Sequence, residues 1–258
     1  MAEEKLRIAL LAGGDSSEKG VSMKSAAGIM NMLDKEKYEI VKIVLSGSNW
    51  DIEGGPYDGL PIDRNDFSFI YENRHYYFDF AFIAIHGNPG ENGILQGFFE
   101  SLKIPYSTSN VLTTAMAFNK HVCSTFLEKH GIVSPKAQIM KKGTSYNKLK
   151  LIEKLGLPLF VKPNEGGSSF GISRVNRIDE FDEALNKAFE ENPLAIVEEY
   201  IEGTELTCAA LKTEEQEFVF PVTEIVSKNV FFDYQAKYNA EYADEITPAR
   251  IPESVDSD

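Results

Sequence analysis

A lysine and a glycine- and serine-rich stretch lie close together in the middle of the chain. Lys162 ends an apolar run that begins at Leu159, and residues 166–169 read Gly-Gly-Ser-Ser ahead of the alternating segment 172–175. Glycines let successive backbone N–H groups point at one place, and such a concave arrangement binds anions. The serine hydroxyls and the lysine ammonium would add donors and positive charge. The pattern predicts two antiparallel strands joined by a polyphosphate-binding loop, although a flexible hairpin with an exposed lysine would read the same way.

Two standard nucleotide-binding motifs do not occur in this sequence. There is no G-x-x-x-x-G-K-[ST], which argues against a P-loop, and no G-x-G-x-x-G follows the first apolar run. A triphosphate bound by the central stretch would therefore lie against two β-strands and be held by a lysine and a Gly/Ser loop. That arrangement indicates a different class of nucleotide-binding fold.

Two further candidate residues follow predicted strands near the start of the chain. Leu6–Ala12 is almost continuously apolar, as in a buried parallel strand, and Gly13-Gly14 ends it before a stretch with helical spacing. Glu18 lies where the chain leaves this turn, and His86 directly follows the apolar run 80–85. Ligands bind at the carboxyl ends of parallel strands, so both side chains are candidates for a site there. Glu18 could instead serve only as a favourable charge at a helix N-terminus, and His86 could be structural.

The composition excludes several classes of partner. The 258 residues carry a formal net charge of −14, with a pI near 4.8, which argues against nucleic acid and anionic membranes. No apolar run is long enough to cross a membrane, and the acidic N-terminus is unlike a signal peptide. Cys123 and Cys208 lie in apolar-patterned segments and are expected to be small core residues in a reducing compartment. We therefore expect a cytoplasmic protein.

The second half of the chain contains a predicted boundary and an irregular segment. A short strand is predicted at 104–107, and a domain boundary is expected at 110–119, after which Lys120 begins a helix. The segment 227–244 is aromatic, polar and aperiodic, and such long segments in compact domains are often functional. It contains the pair Lys237-Tyr238, which could also simply be exposed.

Taken in order, these segments resemble the D-alanine–D-alanine ligase family of the ATP-grasp superfamily. Each segment alone is weakly diagnostic, but the combination is specific to these ligases and their depsipeptide-forming relatives. The resemblance implies ATP-dependent joining of two D-alanines through a D-alanyl phosphate, for peptidoglycan precursor synthesis. The matching segments are Gly13–Ser22, His86–Gly93, Asn119-Lys120, Val161–Gly171, Val197–Glu205 and Tyr234–Tyr238.

The resemblance also implies roles for individual residues. Glu18 would bind the ammonium group of the first D-alanine, and His86 would lie near its carboxylate. Ser168 and Tyr238 would hydrogen-bond towards Glu18, and these three residues form the expected catalytic group. Among the ATP contacts, the lysines would hold the phosphates and Glu198 the adenine amino group. The implied ATP-binding residues are Lys120, Lys162, Ser168, Ser169, Glu198, Glu199, Ile201, Glu205 and Lys237.

The fold class implied by the resemblance is α/β and α+β. A Rossmann-like parallel-sheet domain that binds substrate would occupy residues 1–110, and an ATP-grasp domain would follow. Its central subdomain, with the glycine-rich loop as a lid, would occupy 111–197. Residues 198–258 would begin a C-terminal subdomain with an omega-type loop.

ATP and Mg²⁺ are the implied cofactors, and a homodimer is the implied assembly. The family's metal ligands lie in a segment after the part that this chain matches, so we expect the Mg²⁺ ligands beyond Asp258 and assign none here. Three alternatives stay open: another ATP-grasp carboxylate–amine ligase, a D-alanine–D-lactate ligase, and a nucleotide-binding protein without catalysis. Tyr238 disfavours the D-lactate enzyme, whose relatives typically lack a tyrosine at this position.

Overall fold

A four-stranded sheet organises the N-terminal part of the chain. The computed structural model describes residues 5–213, 215–228, 234–239 and 241–252. The first six strands are β1 (Leu6–Gly13), β2 (Tyr38–Ser46), β3 (Asn49–Ile52), β4 (Phe69–Tyr71), β5 (Arg74–Tyr76) and β6 (Phe80–Ile83). The sheet has the order β3-β2-β1-β6, with β1 parallel to both β2 and β6, while β4 and β5 form a separate hairpin. The carboxyl ends of β1 and β6 therefore meet at one edge.

Burial on both faces explains why β1 is almost continuously apolar. Ala9 and Leu11 belong to a core that includes the aromatic rings of Trp50, Phe67 and Phe99. Leu10 and Ala12 point to the opposite face, in a smaller cluster that contains Ala26 of the first helix. The helices of this half are α1 (Lys19–Met32), α2 (Ile94–Leu102), α3 (Val111–Phe118) and α4 (Lys120–Lys129). The sheet is consequently a rigid base for the turn that follows β1.

A second sheet, entirely antiparallel, carries the glycine-rich stretch. Its strands are β7 (Ala137–Lys141), β8 (Leu159–Pro163), β9 (Ser173–Val175) and β10 (Leu194–Glu199), in the order β7-β10-β8-β9. Two helices, α5 (Lys148–Leu155) and α6 (Phe181–Glu191), pack on one face against residues that include Leu159, Val161 and Val197. Strand alternation turns Phe160, Lys162 and Glu198 to the other face.

The remaining elements are short and largely exposed. They comprise β11 (Glu205–Thr207), β12 (Ala210–Lys212), β13 (Glu217–Val219), β14 (Thr223–Ser227), α7 (Tyr234–Tyr238) and β15 (Ala243–Ile246). The strands β11, β14 and β15 form one antiparallel sheet, and β12 pairs with β13. Every residue of β11, β12 and β13 is exposed.

The predicted fold class, α/β followed by α+β, is confirmed by these sheets. The strand β10 runs to Glu199, past the predicted boundary at residue 197. The strand predicted at 104–107 is only a single parallel bridge between Ala81 and Tyr106. Neither cysteine is in a core, because Cys123 is half-buried and Cys208 is exposed, and both are free thiols. Among the described residues, no helix is long and apolar enough to cross a membrane.

Candidate active site

The turn after β1 places Glu18 by close backbone contacts. Gly13 and Gly14 have φ angles of 90° and 95°, and a Cβ added to Gly14 would lie 2.7 Å from the side chain of Ile85. The Ser22 hydroxyl accepts from the Gly13 N–H at 3.0 Å and donates to the Ala84 carbonyl at 2.8 Å. Because Ser22 ties β1 to the end of β6, the first turn of α1 is held at the sheet edge.

Glu18 is buried at the start of α1, yet its side chain does not cap the helix. The residue is 3% exposed, and its carboxylate makes no hydrogen bond to the helix N-terminus. The alternative in which Glu18 serves only the helix end is therefore not supported. Oε1 accepts from the Ser168 hydroxyl, while Oε2 is buried with no hydrogen-bond partner among the described residues. A buried carboxylate oxygen without a partner is costly unless a ligand donor satisfies it.

Two glycines make room for this carboxylate. A Cβ on Gly87 would lie 3.0 Å from Glu18 Oε2, and a Cβ on Gly167 would lie 2.8 Å from Oε1 and 2.9 Å from Oε2. Gly87 follows β6, and Gly167 belongs to the loop 164–172 between β8 and β9, which we call the lid. Glu18 is thus enclosed by backbone from both sheets.

The tip of the lid has an unusual backbone. Ser168 and Ser169 have φ angles of 48° and 60°, in a region that residues with a side chain rarely adopt. This conformation directs the Ser168 hydroxyl to Glu18 and to the Tyr238 hydroxyl, 2.7 Å away. The hydrogen-bonded group expected from the resemblance is therefore present, with contributions from α1, the lid and α7.

Three lysines from different elements come close to this group. The Lys120 ammonium donates to the Gly166 carbonyl at 2.8 Å, and Lys162 forms an ion pair with Glu198 at 2.5 Å. Burial, followed by the positive charge of Lys162, lowers the pKa of Lys120 from 10.5 to about 8, with a further contribution from Lys237. Partial burial also lowers the pKa of Lys237. Ammonium groups gathered in this way attract a polyanion, which would relieve their mutual repulsion.

A cavity of about 370 Å³ opens beside Glu18, between the turn after β1 and the lid. Every charged side chain that lines it is a carboxylate. At the edge of the cavity, the Ser17 hydroxyl, in the turn after β1, donates to the Glu191 carboxylate at the end of α6, at 2.8 Å. The cavity therefore favours a cationic group, whereas the lysines favour an anion. The lining carboxylates are Asp15, Glu18, Glu165, Glu190 and Glu191.

His86 lies at the same sheet edge, with its side chain turned towards α1. Its Nε2 is 3.0 Å from the Ser25 hydroxyl, and its carbonyl accepts from the Ser16 hydroxyl at 2.9 Å. The sequence predicted His86 as a site residue but gave no role to nearby Glu91. Burial raises the pKa of Glu91, and its carboxylate accepts from the Gly87 N–H at 2.7 Å. Glu91 lies within the family-matching segment His86–Gly93, but the burial of one carboxylate leaves no signal in the spacing of residues.

The remaining predicted ATP contacts differ in placement. The Glu199 side chain points away from the three lysines of the candidate site. Its carboxylate instead accepts from the Lys136 N–H at 2.8 Å. Any nucleotide contact of Glu199 on the Lys162 face would therefore involve its backbone, and its assignment as an ATP-binding residue stays a prediction. Ile201 is 56% exposed, and Glu205 is exposed but close enough to raise the pKa of Lys237. These positions do not form an enclosed nucleotide site among the described residues.

The site fits a polyphosphate better than a divalent metal. The lysines and the lid glycines supply donors for phosphate oxygens. In the described ranges, no three His, Cys, Asp or Glu side chains are arranged so that they could hold a metal ion together. Glu224 is bound by Arg250 through two contacts of 2.8 Å. We therefore assign no Mg²⁺ ligands to the described residues.

Comparison with known proteins agrees with this geometry. Residues 7–109 match the family model "D-ala D-ala ligase N-terminus", and residues 126–258 match "D-ala D-ala ligase C-terminus". The D-alanine–D-alanine ligase of Phocaeicola vulgatus is 50% identical over 251 residues, which is 97% of this chain and 77% of that protein. A ligase of the same name from Bacteroides fragilis is 46% identical with the same coverage.

Solved structures show the same relationship. D-alanyl-alanine synthetase A from Vibrio cholerae gives a TM-score of 0.85 at 26% identity, covering 100% of this chain and 78% of that one. The VanG D-Ala:D-Ser ligase from Enterococcus faecalis gives 0.82 at 32% identity, covering 98% and 79%. The Bacillus anthracis D-alanine–D-alanine ligase complexed with ATP gives 0.71 at 31% identity, covering 98% and 73%. The chain therefore belongs to the D-alanine–D-alanine ligase family, and its predicted ATP-grasp fold is confirmed.

Proposed function

We propose that the protein joins two D-alanine molecules into D-alanyl-D-alanine and consumes ATP in doing so. The observation that carries the proposal is the buried Glu18 carboxylate beside a group of lysines, with one oxygen that has no hydrogen-bond partner in the described part of the chain. One arrangement thus offers a place for a substrate ammonium group next to a place for phosphates. The relatives that match most of the chain are D-alanine–D-alanine ligases.

The proposed reaction has two steps. A carboxylate oxygen of the first D-alanine attacks the γ-phosphorus of ATP, and ADP leaves with the electron pair of the broken P–O bond. The amine of the second D-alanine then attacks the carbonyl carbon of D-alanyl phosphate, phosphate leaves, and the amine loses a proton to solvent. The protein contributes positioning and neutralisation of charge rather than a covalent intermediate of its own.

The side chains of this chain divide that work. Glu18 binds the first ammonium group, and His86 lies on the side of its carboxylate. Lys120, Lys162 and Lys237 face the phosphates, so the Lys162–Glu198 pair of 2.5 Å is shared with the nucleotide when it binds. The lid, held to Glu18 by Ser168 and to α7 by the hydrogen bond between Ser168 and Tyr238, excludes water from an acyl phosphate that would otherwise hydrolyse.

Phosphate release in the presence of D-alanine and Mg·ATP tests the proposal. We expect release that depends on D-alanine, together with formation of the dipeptide, and Glu18→Gln should reduce both. ATP binding without D-alanine-dependent phosphate release would favour a nucleotide-binding protein without catalysis.

The identity of the second substrate is a separate question. One well-matched structure is a D-Ala:D-Ser ligase, so D-serine is the second candidate nucleophile. We propose an amine nucleophile rather than D-lactate, because Tyr238 is present and contacts Ser168 at 2.7 Å. Competition among D-alanine, D-serine and D-lactate, with each product identified by mass spectrometry, decides between them.

We further propose a setting for this activity. The relatives are bacterial ligases, and the dipeptide would enter peptidoglycan precursor synthesis in the cytoplasm. We infer a homodimer, Mg²⁺ as the companion of ATP, and no nucleic-acid partner, which the net charge of −14 supports. Sedimentation equilibrium tests the dimer, and titration with Mg²⁺ tests the metal requirement.

A further inference from the structure

Asn119, between α3 and α4, uses both ends of its side-chain amide. Its Oδ1 accepts from the Val122 N–H at 3.1 Å and so caps α4, while its Nδ2 donates to Glu165 Oε1 at 2.8 Å. The two contacts fix the orientation of the amide, because only the nitrogen can donate. A single side chain therefore serves the helix that carries Lys120 and the lid that contains Glu165.

Three further hydrogen bonds join the same two segments. The Lys120 N–H donates to the Asn164 carbonyl at 3.0 Å, and the His121 N–H donates to Asn164 Oδ1 at 3.1 Å. The Lys120 ammonium reaches the Gly166 carbonyl at 2.8 Å. Asn164 is 1% exposed, and its own N–H donates to the Leu194 carbonyl at 2.8 Å, so it is fixed to the sheet. The first turn of α4 and the beginning of the lid are thus held together.

Glu165 is the point at which the lid leaves this fixed base. In the described part of the chain, the hydrogen bond from Asn119 is the polar contact of its carboxylate, and no lysine or arginine pairs with it. The next lid residues carry the strained tip whose Ser168 reaches Glu18. A change at the Asn119–Glu165 contact would consequently alter both Lys120 and the Ser168 tip.

We propose that Asn119 is a positioning residue, which through Glu165 holds the lid in register with Lys120 for nucleotide binding. The nucleotide part rests on the proposed function, because it takes Lys120 as a phosphate contact. The alternative is that Asn119 only caps α4. The two roles separate chemically, since a cap needs an acceptor and the lid contact needs a donor.

The substitution Asn119→Asp separates the two roles. An aspartate accepts the Val122 N–H and favours a helix N-terminus, so α4 stays capped. It cannot donate to Glu165, and it sets one carboxylate against another. In the full chain, we expect hydrogen exchange of amides in the lid to quicken about tenfold, while exchange in α4 stays unchanged. We expect the dissociation constant for ATP, measured by calorimetry, to rise about three- to tenfold.

Two matched variants complete the test. Glu165→Gln alone keeps the contact, because the Asn119 amide can donate to the glutamine oxygen, so the lid should exchange as in the unmodified protein. The pair Asn119→Asp with Glu165→Gln reverses the donor and the acceptor and should restore slow lid exchange and ATP affinity. Such rescue is not expected of a residue that acts only as a cap.

The outcomes distinguish the inference from the proposed function. Lid exchange in Asn119→Asp equal to that of the unmodified protein, or failure of the double variant to restore it, overturns the link between Asn119 and the lid. Quickened and rescued exchange in a protein whose unmodified form does not bind ATP keeps that link, and overturns both the nucleotide role and the proposed function. If the unmodified protein binds ATP and Asn119→Asp leaves both ATP binding and lid exchange unaltered, the inference is rejected and the proposed function stands.

Discussion

The N-terminal sheet and the C-terminal strands bury their residues very differently. From Ile8 to Ala12 no residue of β1 is more than 6% exposed, whereas every residue of β11, β12 and β13 is exposed. Glu18 and His86 follow the packed strands, while Glu205 and Tyr238 lie among the exposed elements. The Glu18 carboxylate is thus oriented by a closely packed core, whereas part of the proposed nucleotide site lies among exposed strands. The difference predicts that mutations will act through stability in one region and through ligand contacts in the other.

The largest expected difference between the two regions is in the free energy of unfolding when one phenylalanine of each is replaced by alanine. Phe99 is fully buried, and its ring centroid is 4.9 Å from that of Phe67, so Phe99→Ala should reduce the free energy of unfolding by about 3–5 kcal/mol. Phe218 is 43% exposed, and Phe218→Ala should change it by less than about 1 kcal/mol. Urea unfolding measures both. Equal losses would mean that the exposed strands contribute as much packing as the sheet.

The next effect compares two carboxylates. Glu18→Gln removes the charge that we propose pairs with the substrate ammonium group, and it should raise the Michaelis constant for the first D-alanine about ten- to a hundredfold. The constant for ATP should be nearly unchanged. Glu205→Gln, in the exposed region, should raise the Michaelis constant for ATP by a smaller factor and leave the constant for D-alanine nearly unchanged. Steady-state kinetics with each substrate varied in turn gives all four constants. A parallel rise of both constants in Glu18→Gln would indicate a structural role for this residue.

The affinity for ATP should depend on pH through the protonation of Lys120. Because its pKa is about 8 without nucleotide, the ammonium group is charged below that pH and neutral above it. ATP affinity should therefore fall about tenfold by one unit above the pKa. Binding near this pH should also take up a proton, detected by calorimetry in buffers of different ionisation enthalpy. Lys120→Arg keeps its charge and should flatten the pH profile. A profile unchanged by that substitution would assign the titration to another group.

The same group affects folding stability in a defined direction. The pKa of Lys120 in the folded chain, about 8, lies below its ordinary value of 10.5. The unfolded chain therefore binds more protons between these two values, and this residue makes stability rise with pH across that window. Urea unfolding at the two ends of the window, compared with Lys120→Met, isolates the contribution.

The smallest effect should come from the Tyr238 hydroxyl. Tyr238 is 47% exposed, and its hydroxyl is 2.7 Å from that of Ser168. Tyr238→Phe removes one neutral hydrogen bond, worth about 0.5–1.5 kcal/mol, and should lower kcat/KM only a few-fold. Ser168→Ala also removes the contact with Glu18 and should cost more. A larger loss in Tyr238→Phe than in Ser168→Ala would give the tyrosine a role beyond holding the lid.

Local patterns in the sequence were sufficient to predict much of the fold. The apolar run of β1, its Gly-Gly turn and the hairpin at Lys162 all depend on neighbouring residues, so each was predicted correctly. The short strand at 104–107 was wrong, because only Tyr106 finds a bridge partner at that sheet edge. Cys208 was wrong as a core residue, because an apolar pattern in β11–β13 does not imply a second layer to cover it.

Contacts within the candidate site were harder to predict from local pattern. Ser168 and Glu18 are 150 residues apart, and no spacing rule joins them, so their contact was expected only from the family resemblance. The Lys162–Glu198 pair follows from the antiparallel register of β8 and β10, which local sequence does not determine. The Asn119–Glu165 contact left no trace except an asparagine at a helix start, which is common for capping alone.

The enclosure of Glu18 by two glycines has a consequence for mutational scanning of this protein. Gly87 has a φ of 71°, so a turn alone would explain its intolerance of substitution. Gly167 has no such backbone requirement, yet a Cβ there would meet the Glu18 carboxylate at 2.8 Å. In a library of all single substitutions, any side chain at position 167 should therefore displace the Glu18 carboxylate and reduce activity, although Gly167 has no side chain that reacts. The stability lost on placing alanine at 167 should return when position 18 carries a smaller residue, whereas activity should stay low because the Glu18 carboxylate is then absent. A library of single variants scored only by activity would miss this pairwise dependence.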